Sequence, residues 1–376
     1  MGQRIRLGMV GGGRGAFIGA VHRIAARLDD HFELVAGALS SDPERSRASA
    51  TDLGIAADRA YADFRDMVKQ ESQRPDGIQA VSIVTPNHMH AEPAIAFLEA
   101  GIHVICDKPV SSNLDDAKRI QRAAEMSSAR FVLTHNYTGY PLMRHARELI
   151  KHGELGRIRV VQAEYAQDWL AEPIEQEGQK QASWRTDPKQ SGAGGAIGDI
   201  GTHAFNLISF VTGLRTEALA ADLHRFVDGR VLDDNAHVLL RLEGGAKGMV
   251  WASQVAVGQE NGLRLRIFGE KGSITWNQEN PNRMVLDILG KPSATFTRGG
   301  VGFGGRSGNW TRTPPGHPEG YLEGFANIYV DAAKLIRGED SGVPLPGIED
   351  GLLGVRFIEA CVESDNQNTS WVPLAS

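Results

Sequence analysis

The chain has few cysteines, few aromatic residues and no excess of positive charge. Its 376 residues include two cysteines, 7% aromatic residues and a net charge of −6 at pH 7. Two cysteines cannot build a disulfide framework, and a negative net charge gives no electrostatic reason to expect nucleic acid as a partner. The composition therefore excludes a disulfide-rich scaffold and disfavours a nucleic-acid-binding protein.

Long hydrophobic runs and signal sequences are also missing. No apolar stretch reaches the roughly 20 residues that a membrane-spanning helix needs. The N-terminus shows no signal-peptide pattern, and Cys106 and Cys361 lie in apolar runs that are typical of buried thiols. We therefore expect a cytoplasmic enzyme without a membrane partner. His135, His203 and His317 lack ligand spacing with the cysteines, so no metal site is predicted.

The length allows two domains, and the order of strand-like and helix-like segments differs between them. Up to residue 139, buried strands alternate with amphipathic helices, a pattern typical of a doubly wound parallel sheet. We therefore predict an α/β protein with a Rossmann dinucleotide-binding domain over 1–139. The second predicted domain, 140–376, is an α/β domain for substrate binding and oligomerisation. A C-terminal helix near 351–363 is expected to pack back on the first domain.

A glycine-rich turn follows the first predicted strand. Gly11, Gly13 and Ala16 match the pattern G-x-G-x-x-A, with Arg14 inside it and a helix predicted over 17–28. This pattern on its own is also compatible with a plain loop. A strand before it and a helix after it favour dinucleotide binding, because backbone N–H groups and a helix N-terminus then point at the pyrophosphate.

The end of the second strand bears on the choice between NAD and NADP. An acidic residue there would hold the ribose 2′-hydroxyl of NAD, but the chain has Ser40 and Ser41, with Asp42 displaced by two positions. Ser40 and Arg45 are suited to a 2′-phosphate, which favours NADP slightly over NAD. The alternative is that Ser41 or Asp42 caps the helix that starts at Pro43, and both interpretations can hold together.

Two later strands also end in polar residues. The strand 80–85 ends near Thr85, Asn87 and His88, which are predicted to contact the cofactor, and a helix is predicted over 88–100. Strand 102–106 is followed by Lys108, which is predicted to lie at the cofactor and to direct its ammonium at a substrate oxygen. The alternative is a loop lysine without a role. Pro109 permits a cis bond after Lys108, and the sequence leaves open whether it is used.

The segment 192–203, Gly-Ala-Gly-Gly-Ala-Ile-Gly-Asp-Ile-Gly-Thr-His, carries two reactive side chains. Asp199 and His203 are four residues apart, and apolar helical spacing continues to a stop at Gly213. If the helix begins near Ala196, the two side chains share one face that the glycines leave open. A carboxylate and an imidazole placed in this way can bind a hydroxyl group and take its proton.

A second group of residues is predicted to bind the substrate. Indole rings and an arginine near a cleft suit a sugar ring. The alternative for the two tryptophans and the arginine is a pair of core tryptophans with a surface ion pair. The predicted substrate-binding residues are Asn136, Tyr137, Asp168, Trp169, Trp184, Arg185 and Asp199.

The second domain shows alternating runs separated by turn signals, which predict a mostly antiparallel sheet. The helix that carries His203 is expected to cover one face of this sheet. The other face then needs a partner, so we expect a homodimer or homotetramer. The predicted strands are 158–167, 236–242, 248–256, 263–268 and 272–277. The segment 292–318, rich in glycine, proline, arginine and threonine, is predicted as an irregular loop.

Together these motifs resemble the Gfo/Idh/MocA family of oxidoreductases over essentially the whole chain. They are the Gly-Gly-Gly at 11–13, Thr-Pro-Asn-His at 85–88, Cys-Asp-Lys-Pro at 106–109 and Gly-Asp-Ile-Gly-Thr-His at 198–203. Asp107 is a departure, since the family usually has Glu before Lys-Pro, but it leaves the lysine assignment intact. The Gln-Asp-Trp at 167–169 and Ser-Trp-Arg at 183–185 locally resemble the family's levoglucosan dehydrogenases.

The resemblance implies NAD(P)-linked oxidation of a secondary alcohol on a sugar, a sugar derivative or a cyclitol. The family's catalytic lysine, aspartate and histidine map to Lys108, Asp199 and His203. His203 is then the general base, Lys108 stabilises charge on the same oxygen, and Asp199 orients the sugar or the lysine. Two alternatives remain open, a non-catalytic NAD(P)-binding sensor and a glycosidase that oxidises the sugar transiently with bound NAD.

Overall fold

The computed structural model of the chain describes residues 3–303 and 309–374. It divides into two compact units, each made of two stretches of sequence. The first unit comprises Met1–Gly139 and Tyr321–Leu352, and the second comprises Tyr140–Gly320 and Leu353–Ser376. The sequence-based division placed 321–352 in the second domain, whereas the structure groups this segment with the first unit.

The first unit contains a parallel sheet with the strand order β2-β1-β3-β4-β5 among the described residues. Its strands are β1 (Ile5–Gly11), β2 (Phe32–Ala38), β3 (Ala80–Val84), β4 (His103–Cys106) and β5 (Phe131–Leu133). Its helices are α1 (Phe17–Leu28), α2 (Pro43–Asp52), α3 (Phe64–Glu71), α4 (Ala91–Glu99), α5 (Leu114–Met126) and, much later in the chain, α10 (Tyr321–Ile336). The order confirms the predicted Rossmann sheet, whose ligands collect where the carboxyl ends of β1 and β3 lie side by side.

Helix α10 packs against α1 and completes the core of this unit. The ring of Tyr329 meets Phe32 edge-on at 5.3 Å, and Phe325 lies 5.1 Å from His22 between ring centroids. Asn327 donates to the carbonyl of Gly139 at 2.8 Å. A helix that begins 188 residues after the end of β5 (321 − 133) therefore closes the hydrophobic core, which sequence order alone does not indicate.

The second unit contains a mixed sheet with the order β13-β12-β11-β10-β6-β9-β8-β7-β14 in the described part of the chain. The strands are β6 (Ile158–Ala166), β7 (Thr216–His224), β8 (Asn235–Leu242), β9 (Lys247–Ser253), β10 (Gly262–Gly269), β11 (Gly272–Asn277), β12 (Arg283–Ile288), β13 (Ala294–Thr297) and β14 (Val372–Pro373). Within this sheet, the described residues form one parallel pair, β6 with β9, so the mostly antiparallel prediction is confirmed. The helices are α6 (Pro141–Lys151), α7 (Lys180–Arg185), α8 (Pro188–Ser191) and α9 (Thr202–Thr212), while α11 (Ile348–Asn366) spans the division between the units.

The two faces of this sheet differ in exposure because side chains alternate along each strand. On β6, Val161, Ala163 and Tyr165 are buried, and α9 packs on this side. Val160 points the other way and faces Phe268 of β10 in register; both side chains are more than a third exposed. The described residues therefore leave one face of the sheet open, and this face carries apolar side chains.

Several elements differ from the sequence-based prediction. Strands β7, β12, β13 and β14 were not predicted, and β13 lies in the segment 292–318, which was predicted as an irregular loop. Residues 304–308 of that segment lie outside the described residues. The predicted helix over 88–100 is divided into a 3-10 turn at Asn87–Met89 and the helix α4.

Candidate active site

The glycine-rich turn after β1 has the backbone shape that only glycines adopt readily. Gly11, Gly12 and Gly15 have φ values of +80°, +72° and +76°. At Gly13 the reason is space, because a Cβ there would lie 2.6 Å from the carbonyl oxygen of Leu39. The turn therefore sits directly against the end of β2, at the edge of the sheet where a dinucleotide binds.

The N-terminus of α1 offers its N–H groups to an anion. Ala16 occupies the N-cap position, and among the described residues no side chain caps the helix and no acidic residue lies in its first turn. A helix start of this kind favours a phosphate group through unpaired donors and the helix dipole. The residues after β1 therefore fit the pyrophosphate of a dinucleotide.

Arg14 and Arg45 both lie at this turn. The guanidinium of Arg45 donates to the carbonyl of Arg14 at 2.6 Å, and Arg14 pairs with Asp52 at 2.7 Å. The backbone N–H of Arg45 donates to the carboxylate of Asp42 at 2.7 Å. Asp42 is therefore the cap of α2, and the same short segment places Arg45 against the glycine turn. Ser40 accepts from the N–H of Asp42 at 3.2 Å.

The end of β3 is joined to the end of β4 by a histidine that sequence reasoning missed. His90 is buried, and its ring nitrogens lie 2.8 Å from the carbonyl oxygens of Thr85 and Pro109. Asn87 is buried in the turn between them, whereas His88 is exposed. The prediction named His88, two positions earlier, because spacing in the sequence does not show which of the two histidines will be buried.

Lys108 follows β4, and a network of polar groups lies beside it. The peptide bond between Lys108 and Pro109 is cis. The neighbouring Asp107 accepts from the hydroxyl of Thr134 at 2.9 Å, and its carboxylate lies 3.6 Å from Nε2 of His22. Burial raises the pKa of Asp107, but the neighbouring ring of His22 and then the charge of Lys108 hold it below its usual range. Asp107 is therefore ionised next to Lys108.

Two predicted substrate contacts of this unit are buried after β5. Asn136 and Tyr137 lie in the 3-10 turn Asn136–Gly139 and are 2% and 3% exposed. Burial, reinforced by the charge of Lys108, lowers the pKa of the adjacent His135 to about 3, so its ring is neutral at physiological pH. The structure therefore brings the end of β5 and Lys108 into one electrostatic environment.

In the second unit, Asp199 and His203 lie where a π-turn becomes α9. The π-turn Ile197–Gly201 contains Asp199, and His203 is the second residue of α9. The prediction assumed a regular helix from Ala196, and the structure instead opens with a wider turn, a feature frequently found at functional sites. His203 is buried with its ring 6.1 Å from that of Tyr165.

The carboxylate of Asp199 receives two hydrogen bonds on one oxygen. Nε of Arg185 donates to it at 3.1 Å, and the side-chain amide of Gln254 donates at 2.9 Å. Asp199 is about 17% exposed. Gln254 comes just after β9 and was not predicted, because an alternating strand pattern does not indicate which polar residue will meet a carboxylate 55 positions away.

The predicted aromatic cluster forms around Arg185. Its guanidinium carbon lies 4.2 Å from the ring centroid of Trp184 and 5.9 Å from that of Trp169, distances within reach of a cation–π attraction. Both tryptophans are half-buried, which fits a ring-binding surface better than a core position, and Arg185 also forms an ion pair with Asp199. Asp168 instead accepts from the backbone N–H of Gly258 at 2.9 Å.

Within the described ranges 3–303 and 309–374, no group of histidine, cysteine, aspartate and glutamate side chains is arranged to hold a metal ion. Within them, too, no helix has the length and apolar character required to cross a membrane.

A parallel dinucleotide-binding sheet together with a second unit built on a mixed sheet is the architecture of a nicotinamide-dependent oxidoreductase of two α/β units. Residues 5–152 match the family described as the oxidoreductase family with an NAD-binding Rossmann fold, and residues 143–275 match the GFO/IDH/MocA C-terminal domain. The chain belongs to the Gfo/Idh/MocA oxidoreductase family, as the resemblance predicted.

Three relatives show how far the similarity extends. The crystal structure of an oxidoreductase from Sinorhizobium meliloti is 54% identical, with a TM-score of 0.90 over 99% of this chain and 100% of that chain. An inositol dehydrogenase homolog from Azotobacter vinelandii, complexed with NADH and myo-inositol, is 38% identical, with a TM-score of 0.92 over 99% and 98%. Levoglucosan dehydrogenase from Pseudarthrobacter phenanthrenivorans is 28% identical over 99% of this chain and 98% of its own.

Proposed function

We propose that this oxidoreductase transfers a hydride between nicotinamide and a secondary alcohol of a sugar, sugar derivative or cyclitol. The observation that carries the proposal is the cluster around Asp199, in which a carboxylate, a guanidinium and an amide lie beside two half-buried indole rings. Such a cluster offers hydrogen bonds to several hydroxyl groups and an apolar surface to the ring carbons. Relatives complexed with NADH and myo-inositol, or named for levoglucosan, support the same class of substrate.

In the proposed mechanism, three side chains act on the alcohol. His203 takes the hydroxyl proton, because an imidazole is the side chain that titrates nearest neutral pH. Lys108 donates a hydrogen bond to the same oxygen and stabilises the charge that develops on it. Asp199, held by Arg185 and Gln254, orients the substrate through a second hydroxyl. Bound NAD supplies the hydride acceptor.

The test is turnover with myo-inositol and levoglucosan by Lys108→Met and His203→Ala variants. We expect each substitution to lower kcat by about 100-fold or more, since general acid–base and electrostatic contributions have that size. The matched controls are Lys69→Met and His224→Ala, which change exposed side chains. Turnover within a few-fold of the parent in either active-site variant would contradict the proposed roles.

The same assay separates the alternative functions. A dehydrogenase accumulates NADH with free sugar, whereas a glycosidase with transient oxidation releases an aglycone without net NADH. A sensor binds the cofactor without turnover. The presence of Lys108, Asp199 and His203 together supports catalysis, because a sensor has no need of all three.

We propose further that Ser40 and Arg45 receive the 2′ position of the adenosine ribose and extend binding from NAD to NADP. The support is the position of Arg45, whose guanidinium lies against the carbonyl of Arg14 in the glycine turn. Relatives complexed with NAD+ and NADH support NAD as one of the accepted cofactors.

We also propose a homo-oligomer in a reducing, cytoplasmic environment. The open face of the large sheet would be covered by a second copy of the chain, giving a dimer or tetramer. Cys106 and Cys361 are buried, and burial raises the pKa of both thiols, which supports inert structural roles for them.

A further inference from the structure

The segment that carries Asp199 is clamped at its start by a buried carboxylate from another part of the second unit. Asp233 precedes β8 and is 6% exposed. Its two carboxylate oxygens accept from the backbone N–H groups of Gly195 at 2.6 Å and Ile197 at 2.8 Å. Its own carbonyl accepts from the N–H of Ala196 at 2.9 Å. Three successive residues before Asp199 are therefore held by one aspartate.

The backbone of residues 194–195 packs so closely against its neighbours that a side chain larger than that of glycine would not fit without a shift. A Cβ on Gly195 would lie 2.0 Å from the carbonyl oxygen of Asp233, so this close approach requires glycine. On its other side, Gly194 packs against Ile358 of α11, at 2.8 Å from a Cβ placed there. The glycines that were predicted to leave a helix face open therefore also allow Asp233 to approach the backbone.

The next residue, Asp234, reaches Asp199 by a second route. Its carbonyl accepts from the backbone N–H of Gln254 at 2.8 Å, and the side chain of Gln254 donates to Asp199. The carboxylate of Asp234 is itself held by the N–H groups of Phe226 and Val227 at 2.9 Å and 3.0 Å. The pair Asp233–Asp234 therefore sets both the start of the π-turn and the partner of its carboxylate.

Burying a carboxylate in this way is costly, and the local charges do not offset the cost. Burial raises the pKa of Asp233 to about 6, while the N–H groups of Ile197 and Gly195 oppose the rise. The titratable neighbours identified among the described residues are Asp234, whose charge raises this pKa further, and the buried Cys361 of α11. The clamped state therefore binds a proton more tightly than an exposed aspartate does.

We propose that Asp233 is a positioning residue that holds Asp199 and His203 in place for the chemistry of this site. The expected effect on turnover rests on the proposed function, whereas the hydrogen bonds that hold the segment can be tested without it. A misplacement of about 1 Å in a catalytic group costs on the order of 100-fold in rate. The nucleotide-binding residues lie in the first unit, so loss of the clamp leaves cofactor affinity unchanged.

The first experiment compares Asp233→Asn with the matched control Asp228→Asn, which changes an exposed aspartate. An asparagine keeps the size but presents an NH2 group to an N–H, so one of the two bonds is lost. We expect kcat to fall about 10- to 100-fold with NADH affinity within about twofold of the parent. A folded Asp233→Asn variant with kcat within twofold of the control overturns the proposal.

The second experiment needs no variant and no substrate. Amide hydrogen exchange of peptides that cover 194–198 is measured in the wild-type protein at pH 7.5 and pH 5.0, corrected for intrinsic rates. We expect about tenfold slower corrected exchange at pH 5.0, with β8 unchanged, because the clamped state, in which burial raises the pKa of Asp233, binds the proton more tightly than an opened segment with an ordinary carboxyl. Unchanged protection would show that Asp233 does not hold the segment. Failure of the proposed function would appear separately, as wild-type protein that oxidises neither myo-inositol nor levoglucosan.

Discussion

Arg45 shows how one residue can serve structure and recognition together. Its backbone N–H completes the cap of α2 through Asp42, and its guanidinium lies on the carbonyl of Arg14. The sequence offered capping and phosphate binding as two interpretations of this segment. The structure confirms that Asp42 caps α2. It also places the side chain of Arg45 beside the glycine turn, where its positive charge would pair with a 2′-phosphate.

The residue-scale prediction concerns cofactor choice. We expect Arg45→Ala to weaken NADPH binding about tenfold and NADH binding less than twofold, since only NADPH carries the extra phosphate. Nicotinamide fluorescence titration measures both affinities. The control is Arg47→Ala, which changes an exposed arginine on the same helix. Equal losses for the two cofactors would show that Arg45 supports the fold of the turn and not the phosphate.

At the scale of elements, the contact between the glycine turn and α1 depends on two glycines. A Cβ on Gly19 would lie 2.4 Å from Cα of Gly12, and backbone atoms cannot move aside as a flexible side chain can. The sequence pattern pointed to Gly11, Gly13 and Ala16. The closest approach between the turn and α1 instead joins Gly12 and Gly19, and the G-x-G-x-x-A pattern requires neither of these glycines.

The prediction at this scale is that Gly19→Ala displaces α1 from the turn. NADH affinity should fall about tenfold or more and the urea unfolding midpoint should drop, because the displaced N-terminus no longer points at the pyrophosphate. Gly354→Ala in α11 is the control, since a Cβ there meets nothing within 4 Å. The control should leave binding unchanged and stabilise the helix slightly. Parent-like NADH affinity in Gly19→Ala would contradict the expected displacement.

For the molecule as a whole, the exposed face of the large sheet calls for explanation. Leu239 is 52% exposed on β8, and Val160 and Phe268 are exposed on the paired strands β6 and β10. A face of this kind is typical of a surface that a partner covers. The helix α9 already occupies the opposite face.

We therefore expect Leu239→Arg to shift the protein toward smaller species in sedimentation velocity, because a charge on this face opposes burial against a second copy. NADH affinity should stay within about twofold, since the dinucleotide fold belongs to the other unit. The control Met126→Arg changes a side chain that is 90% exposed at the end of α5. A Leu239→Arg variant that sediments like the parent would indicate that the oligomer, if one forms, uses another surface.

The sequence by itself was sufficient for the Rossmann sheet, the mostly antiparallel second sheet and the family, and it supplied the residues to which the proposal assigns the chemistry. Local patterns predict these features: apolar strands followed by glycine turns, a lysine at a strand end, and an aspartate four residues before a histidine. Local hydrogen bonding and alternation decide such elements, so neighbouring residues suffice to predict them.

Only the tertiary structure decided which distant residues support them. The return of α10 to the first unit, the contacts of His90, the bond from Gln254 to Asp199 and the clamp by Asp233 all join segments tens to hundreds of positions apart. The shared physical reason is that buried polar groups need hydrogen-bond partners, and folding supplies these partners from distant segments. Spacing in the sequence does not indicate which distant residues will lie close together.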